Sequence, residues 1–416
     1  MVSVRSRNVV FLLYSFSLIW LAAISAAFEL TEGGSKSLPL GILAVWFTAT
    51  IVYLTLRWLL RVGVPVYSAG SNPSKYTKTA FWLLITLTLA YAAVVVGHIW
   101  TLGYVPVLET FRQQDDIKIS IIRQSAYFSL PRWMRYASDY SVKALAPALL
   151  AIAFYYRSRI YWAILVIGSF YCFALFARIL PIYFFLPVIF LAIYMKSWRS
   201  VAVNTAILAL LLGLLTAVSA PSIRQNLAFL GDIFPAREGA FDLDKNLLQP
   251  ELGPPGDWRS TSVSYALYER VAIVPARVMD QWFSAYRDVS SRENGCGYRP
   301  GAKILGCDYV HIPEKLYERY YPENVSQGMK GSLNAASFMT EYANFGTVGF
   351  VLTGILSGIF FALVAQIYRE HPLSVPFNLS VIIAMMETNF LTAINSGSGW
   401  VVFTIIFILF FRLQRA

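Results

Sequence analysis

A chain of 416 residues that is 57% hydrophobic and only 14% charged, with a mean hydropathy of +0.56, is too apolar to fold as one water-soluble domain. Its formal charge of +11 would suit a nucleic-acid binder if the chain were soluble. Much of that charge falls in short loops between apolar runs, where it sets orientation, so nucleic acid is not an expected partner.

A helix needs roughly 20 apolar residues to cross a hydrocarbon core about 30 Å thick. On that measure about ten transmembrane spans follow in order: Val9–Phe28, Leu38–Leu60, Ala80–Leu102, Val142–Tyr156, Ile160–Ala177, Ile179–Met195, Val201–Ala220, Phe345–Ile367, Val375–Ile394 and Trp400–Phe411. The first run follows Arg5 and Arg7 as a signal peptide would, but it lacks a small-residue cleavage site and reads as a retained anchor. The fourth, sixth and tenth runs are short, and Pro147, Pro181 and Pro187 interrupt two of them. The fold class is therefore an all-α membrane protein.

Basic residues in short loops stay cytoplasmic, so an inside N-terminus puts Arg57, Arg61, Arg157, Arg159, Lys196 and Arg199 on one side, together with Arg412 and Arg415 at the other end. Both termini of this multi-pass protein are then cytoplasmic, in what would be a bacterial inner membrane. Two long segments escape the charge rule. One lies near 103–141. The other, between spans seven and eight, is a large extracytoplasmic loop over 221–344. The organisation is then 1–220 with seven spans, 221–344 as the loop, and 345–416 with three spans. Ser264 to Tyr286 in the loop has the spacing of an amphipathic helix.

Cys172 falls inside a span and reads as a small apolar residue. Cys296 and Cys307 flank a stretch containing Gly and Pro in the outer loop. An oxidising compartment favours a structural disulfide there over a metal site, because His311 is the only nearby imidazole.

The candidate functional residues each carry two readings. Arg178 at the outer membrane boundary either grips a phosphate or snorkels to the head groups. Arg270 and Arg277, seven residues apart, share a helix face and either clamp a diphosphate or form solvated ion pairs. Glu341, just before an apolar span, is either a general base with a raised pKa or a charge favoured by a helix N-terminus. His98 and Glu387 are ionisable residues within apolar runs. Phosphate-cradling glycine loops, dinucleotide fingerprints, zinc helices and nucleophile elbows are absent from the sequence. No cofactor or metal is expected.

Three strings complete the picture: Phe176-Ala-Arg-Ile-Leu-Pro181, Tyr268-Glu-Arg-Val-Ala-Ile-Val-Pro275, and Asn334 through Gly349 with its Glu-Tyr-Ala-Asn-Phe-Gly core. With the layout of spans and loops, the chain resembles the Wzy-type O-antigen and exopolysaccharide repeat-unit polymerases. That resemblance implies a GT-C-like glycosyltransferase of the periplasmic face. Such an enzyme moves a glycan en bloc from undecaprenyl diphosphate to the non-reducing end of a second lipid-linked repeat unit. It implies that Glu341, Arg178 and Arg270 are catalytic and that Arg277, Arg123, His311, Tyr320, Asn334 and Tyr342 bind substrate. Its implied partners are the lipid-linked donor and acceptor, membrane lipid and a chain-length regulator. O-antigen ligase, another lipid-linked glycosyltransferase and a glycan transporter are the competing functions.

Overall fold

Backbone N–H and C=O groups find no water in a hydrocarbon core, so a chain this apolar must satisfy them within helices. A computed structural model describes residues 8–61, 78–113, 116–177, 179–218, 226–229, 272–326, 331–368 and 371–411, and every regular element among them is helical.

The first three helices, α1 (Val9–Glu32), α2 (Leu38–Arg61) and α3 (Lys78–Leu102), match the first three expected spans. Two short helices follow, α4 (Pro106–Phe111) and α5 (Asp116–Phe128). Next, α6 (Arg132–Tyr140) continues through a π turn at Ser141–Leu145 into α7 (Ala146–Tyr155), giving one 24-residue span from Arg132 to Tyr155. Hydropathy alone starts this span at Val142 and leaves Arg132 and Arg135 in a loop. The helix extends further because Lys143 Nζ meets Asp139 Oδ1 at 2.7 Å one turn away, so charges that depress the hydropathy neutralise one another along the helix.

Three helices complete the first half: α8 (Ile160–Ala174), α9 (Ile179–Tyr194) and α10 (Trp198–Ala217). The segment before the next span holds α11 (Val274–Ala285), α12 (Arg299–Leu305), α13 (Ile312–Tyr320), α14 (Pro322–Ser326) and α15 (Ser337–Phe345). The last helices are α16 (Thr347–Tyr368), α17 (Ser374–Met385), α18 (Phe390–Thr392, continued by a π turn to Gly397) and α19 (Trp400–Phe411).

Among the described residues six helices are long and apolar enough to cross a membrane, or seven if α18 with its π turn and α19 form one bent span. The difference from ten lies in α8, α9, α17 and α19, with 15, 16, 12 and 12 residues. At 1.5 Å per residue these cover only about 18–24 Å.

The chain divides into two compact units, each assembled from separated stretches. One comprises 1–68, 252–374 and 381–397, the other 69–251, 375–380 and 398–416. In the first, α2 packs closely on α16 because Gly354 and Gly358 present no side chain to it. A Cβ at Gly354 would lie 2.6 Å from Thr48 Cβ, and one at Gly358 would lie 2.7 Å from Val52 Cβ. Tyr14 donates to Ser357 Oγ at 2.9 Å in the same layer. In the second unit α7 is buried along its length against α8 and α9. There His98 on α3 is fully buried, with Nε2 2.8 Å from Ala126 O and Nδ1 2.5 Å from Tyr171 Oη. A carbonyl only accepts, so Nε2 carries the proton and Nδ1 accepts from the phenol.

Candidate functional site

The segment from 272 to 345 belongs to the first unit and builds its polar centre outside the long apolar helices. Its frame is α11. The amphipathic helix expected from Ser264 is described from Val274 onward, and Pro275 occupies its first turn, where a missing N–H costs nothing. Its buried face carries Met279, Trp282 and Phe283. The Trp282 indole donates to Leu333 O at 2.8 Å, and Asp280 Oδ1 accepts from Ser35 N at 2.8 Å, which ties the helix to the α1–α2 turn. Arg319 Nη1 reaches Ala285 O, one of the last carbonyls of α11, at 3.4 Å.

A hairpin from Glu293 to Val310 lies beside α15. Cys296 and Cys307 are disulfide-bonded, the pairing the sequence favours. The hairpin satisfies carbonyls that the C-terminus of α15 leaves free: Glu293 N donates to Ala343 O at 3.0 Å and Asn294 N to Asn344 O at 3.1 Å. The Asn344 side chain completes the join, its Oδ1 accepting from Gly295 N and Gly297 N, each at 3.0 Å.

Glu341 sits on α15, only 4% exposed. Its Oε1 accepts the Tyr298 hydroxyl at 2.5 Å, while Oε2 is buried with no hydrogen-bond partner among the described residues. Burial pushes the carboxyl up from its ordinary range to about 7, with the Tyr298 hydroxyl and the residue's own backbone amide offsetting part of that effect. Tyr298 is driven upward in turn, first by burial and then by the carboxylate beside it. Close approach of α16 seals the other side. A Cβ at Gly349 would lie 2.2 Å from Glu341 O, so only glycine lets the two helices meet there. A carboxyl held near neutrality, with one free oxygen, is chemically equipped to take or give a proton.

The other expected residues have varied places. Tyr342, next to Glu341, is 2% exposed and stacks on Phe283 and Phe350 with ring centroids 4.7 and 5.0 Å away, which makes it part of an aromatic core. Tyr320 on α13 is half-buried and donates to Gln281 O at 2.9 Å. His311, at the start of α13, is half-exposed with Nδ1 3.4 Å from Glu314 Oε2. Asn334 is exposed and accepts from Ser332 Oγ at 2.8 Å. Arg277 lies on α11, part-buried, and among the described residues no carboxylate pairs with it. Arg123 is exposed on α5 and belongs to the other unit. Arg178 and Arg270 lie outside the described residues. Glu387 falls in the turn after α17, exposed, rather than inside a helix.

Sequence reasoning misses Tyr298, Asn344 and a second buried carboxylate, Glu293. Glu293 is 8% exposed and its Oε1 receives both the Tyr286 hydroxyl at 3.0 Å and Lys315 Nζ at 2.7 Å. Asn344 stands one helical turn after Glu341 in the quoted Glu-Tyr-Ala-Asn-Phe-Gly string, and that spacing is the one signal that joins them. Among the described residues no cluster of His, Cys, Asp or Glu could hold a metal ion. Compared with family models, curated proteins and solved structures, the chain finds no match in any of the three.

Proposed function

We propose that the protein is a membrane glycosyltransferase that uses a lipid-linked donor, polymerising undecaprenyl-diphosphate-linked oligosaccharide repeat units at the periplasmic face, with Glu341 as its general base. The observation that carries this reading is the Glu341 carboxyl: buried, bonded on one oxygen by Tyr298, and protonating near pH 7. Support also comes from the six or seven helices among the described residues that are long and apolar enough to cross a membrane, the setting a lipid-borne substrate requires.

The chemistry asks little of the protein. An acceptor sugar hydroxyl attacks the anomeric carbon of the donor glycan and gives its proton to Oε2 of Glu341. The bond from that carbon to the diphosphate breaks, and undecaprenyl diphosphate leaves with the electron pair. Because the leaving group is already activated, what remains is to neutralise its charge, the role assigned to Arg178, Arg270 and Arg277. Burial serves this scheme by holding the carboxyl's proton affinity near working pH, where a base is most effective.

The test replaces the chromosomal gene with Glu341→Gln and resolves the surface glycan on a gel. Loss of the long-chain ladder with single repeat units remaining supports the proposal. A ladder that persists on the lipid carrier moves the function to ligation or export.

A further inference from the structure

We infer that Tyr298 is the positioning residue of the Glu341 carboxyl, and that the Cys296–Cys307 disulfide holds it in place. The inference rests on the proposed function only in naming Glu341 a base; the geometry stands without it. Tyr298 is far from Glu341 in sequence, separated by 43 positions, yet its hydroxyl is the one side-chain donor that reaches the carboxyl among the described residues.

Covalent and hydrogen-bonded closure fixes where that hydroxyl goes. Tyr298 lies two residues after Cys296, inside the loop that the disulfide closes over a separation of 11 positions. Tyr298 N donates to Gly295 O, just before the loop, at 3.2 Å, Cys307 N donates to Ala302 O within it at 3.1 Å, and Val310 N returns to Cys296 O at 3.0 Å. The loop is then pinned to α15 by Asn344, which accepts from Gly297 N, the residue before Tyr298, at 3.0 Å. Asn344 and Glu341 are three positions apart on one helix, so the face that anchors the loop is the face that presents the carboxyl. With the disulfide cut, that side-chain anchor and the backbone bonds alone hold Tyr298 in register.

Donation to Oε1 does two things. It fixes the plane of the carboxyl, so that Oε2 is the oxygen left for a substrate proton, and it favours the ionised form that a base needs. Among the described residues, Tyr14 of α1 senses the charge of the carboxylate. On α11, Asp280 is engaged with Ser35 N. Arg287 and Arg292 act on Tyr342.

The experiment titrates the carboxyl of the purified full-length protein by infrared difference spectroscopy, with Glu341→Gln identifying its band. Tyr298→Phe keeps the ring and removes the donor. The titration should then move up by about one pH unit, as loss of one hydrogen bond to a charged group implies. Mild reduction of the wild-type disulfide, which needs no substitution, should move it in the same direction, and reducing the Tyr298→Phe protein should add little. The pH at which polymerisation reaches half its maximum should follow the infrared value, with the rate recovering at higher pH. An unmoved titration in Tyr298→Phe overturns the positioning role, and an unmoved titration after reduction overturns the role of the disulfide. Undiminished polymerisation by Glu341→Gln, beside a titration that shifts as expected in Tyr298→Phe, would remove the base assignment and leave the positioning role standing.

Discussion

Two buried carboxylates stand in neighbouring parts of the first unit, and each receives a tyrosine hydroxyl. Glu293, at the root of the disulfide hairpin, takes Tyr286 at 3.0 Å and also Lys315 at 2.7 Å. Glu341, on α15, takes Tyr298, and among the described residues it has no cation and its second oxygen is bare. Lys315 offsets the charge of Glu293, and the arrangement joins the hairpin to α13. Glu341 is left to absorb the cost of desolvation by holding its proton up to about pH 7. The difference is one lysine, and it separates a carboxylate that joins two segments from one equipped to move a proton.

The strongest way to break this comparison is to make the same substitution at both sites. Glu341→Gln should lower polymerisation of a lipid-linked repeat unit by about 10²- to 10⁴-fold, the usual contribution of a general base. Glu293→Gln should leave the rate within about tenfold, because that carboxylate is held by Tyr286 and Lys315 and takes no proton in the proposed step. Equal losses in an in vitro polymerisation assay would erase the distinction. For wild type, activity should rise as pH passes through about 7, since only the ionised carboxyl accepts a proton.

Stability should move the opposite way. Glu341 is raised from 4.5 to about 7 on folding, so the folded protein holds the proton more tightly than the unfolded chain. Below pH 4.5 both states are protonated and the contribution is present in full. As pH rises toward 7 the unfolded chain ionises first, and stability falls by about 3 kcal/mol before levelling off. A glutamine never ionises. Denaturation followed at pH 4 and pH 8 should therefore show the Glu341→Gln protein gaining on wild type by about that amount. A pH-independent difference would mean the carboxyl is not desolvated in solution.

His98 in the second unit tests the same logic in the apolar core. Both ring nitrogens are engaged, by Tyr171 and by Ala126 O, so it resembles Glu293 more than Glu341. His98→Phe should cost about 2 kcal/mol of stability, because a phenol and a carbonyl lose their partner, and should leave the rate per folded molecule intact. Lost activity in a fully stable variant would instead make it a proton carrier.

How far the sequence reveals these sites depends on the distance over which they are assembled. Long apolar runs declare α1, α2, α3, α10 and α16, because each meets the length condition by itself. The span from Arg132 to Tyr155 is hidden at its start by Asp139 and Lys143, which a hydropathy window counts as two charges and the helix pairs as one neutral group. Glu341 is legible from its place at the edge of an apolar run, and the cysteine pair from its loop. Their connection is not, since Tyr298 and Glu341 are 43 positions apart and Gly295 and Asn344 are 49 apart. No local periodicity brings such residues together. Tyr342 shows the converse: the resemblance gives it to substrate binding, and its place in the sequence does not reveal that it packs between Phe283 and Phe350.

The smallest expected effect sharpens the comparison most finely, because it removes the lysine that distinguishes the two carboxylates. Lys315 keeps 55% of its side chain exposed while Glu293 keeps 8%, so the pair straddles the surface. The ammonium is largely hydrated, and its attraction to the carboxylate is weakened by water on one side. Lys315→Met retains the stem that covers Glu293 and removes the charge. It should cost about 1 kcal/mol, more than a fully exposed pair and less than the 3–5 kcal/mol of a buried one. The loss should be largest at low salt in thermal unfolding, and polymerisation should be unchanged. A cost of several kcal/mol that salt does not reduce would show that Glu293 is shielded from water despite its exposed partner. The two carboxylates would then differ in how their burial is compensated, by a cation at one and by a proton at the other, rather than in how deeply they are buried.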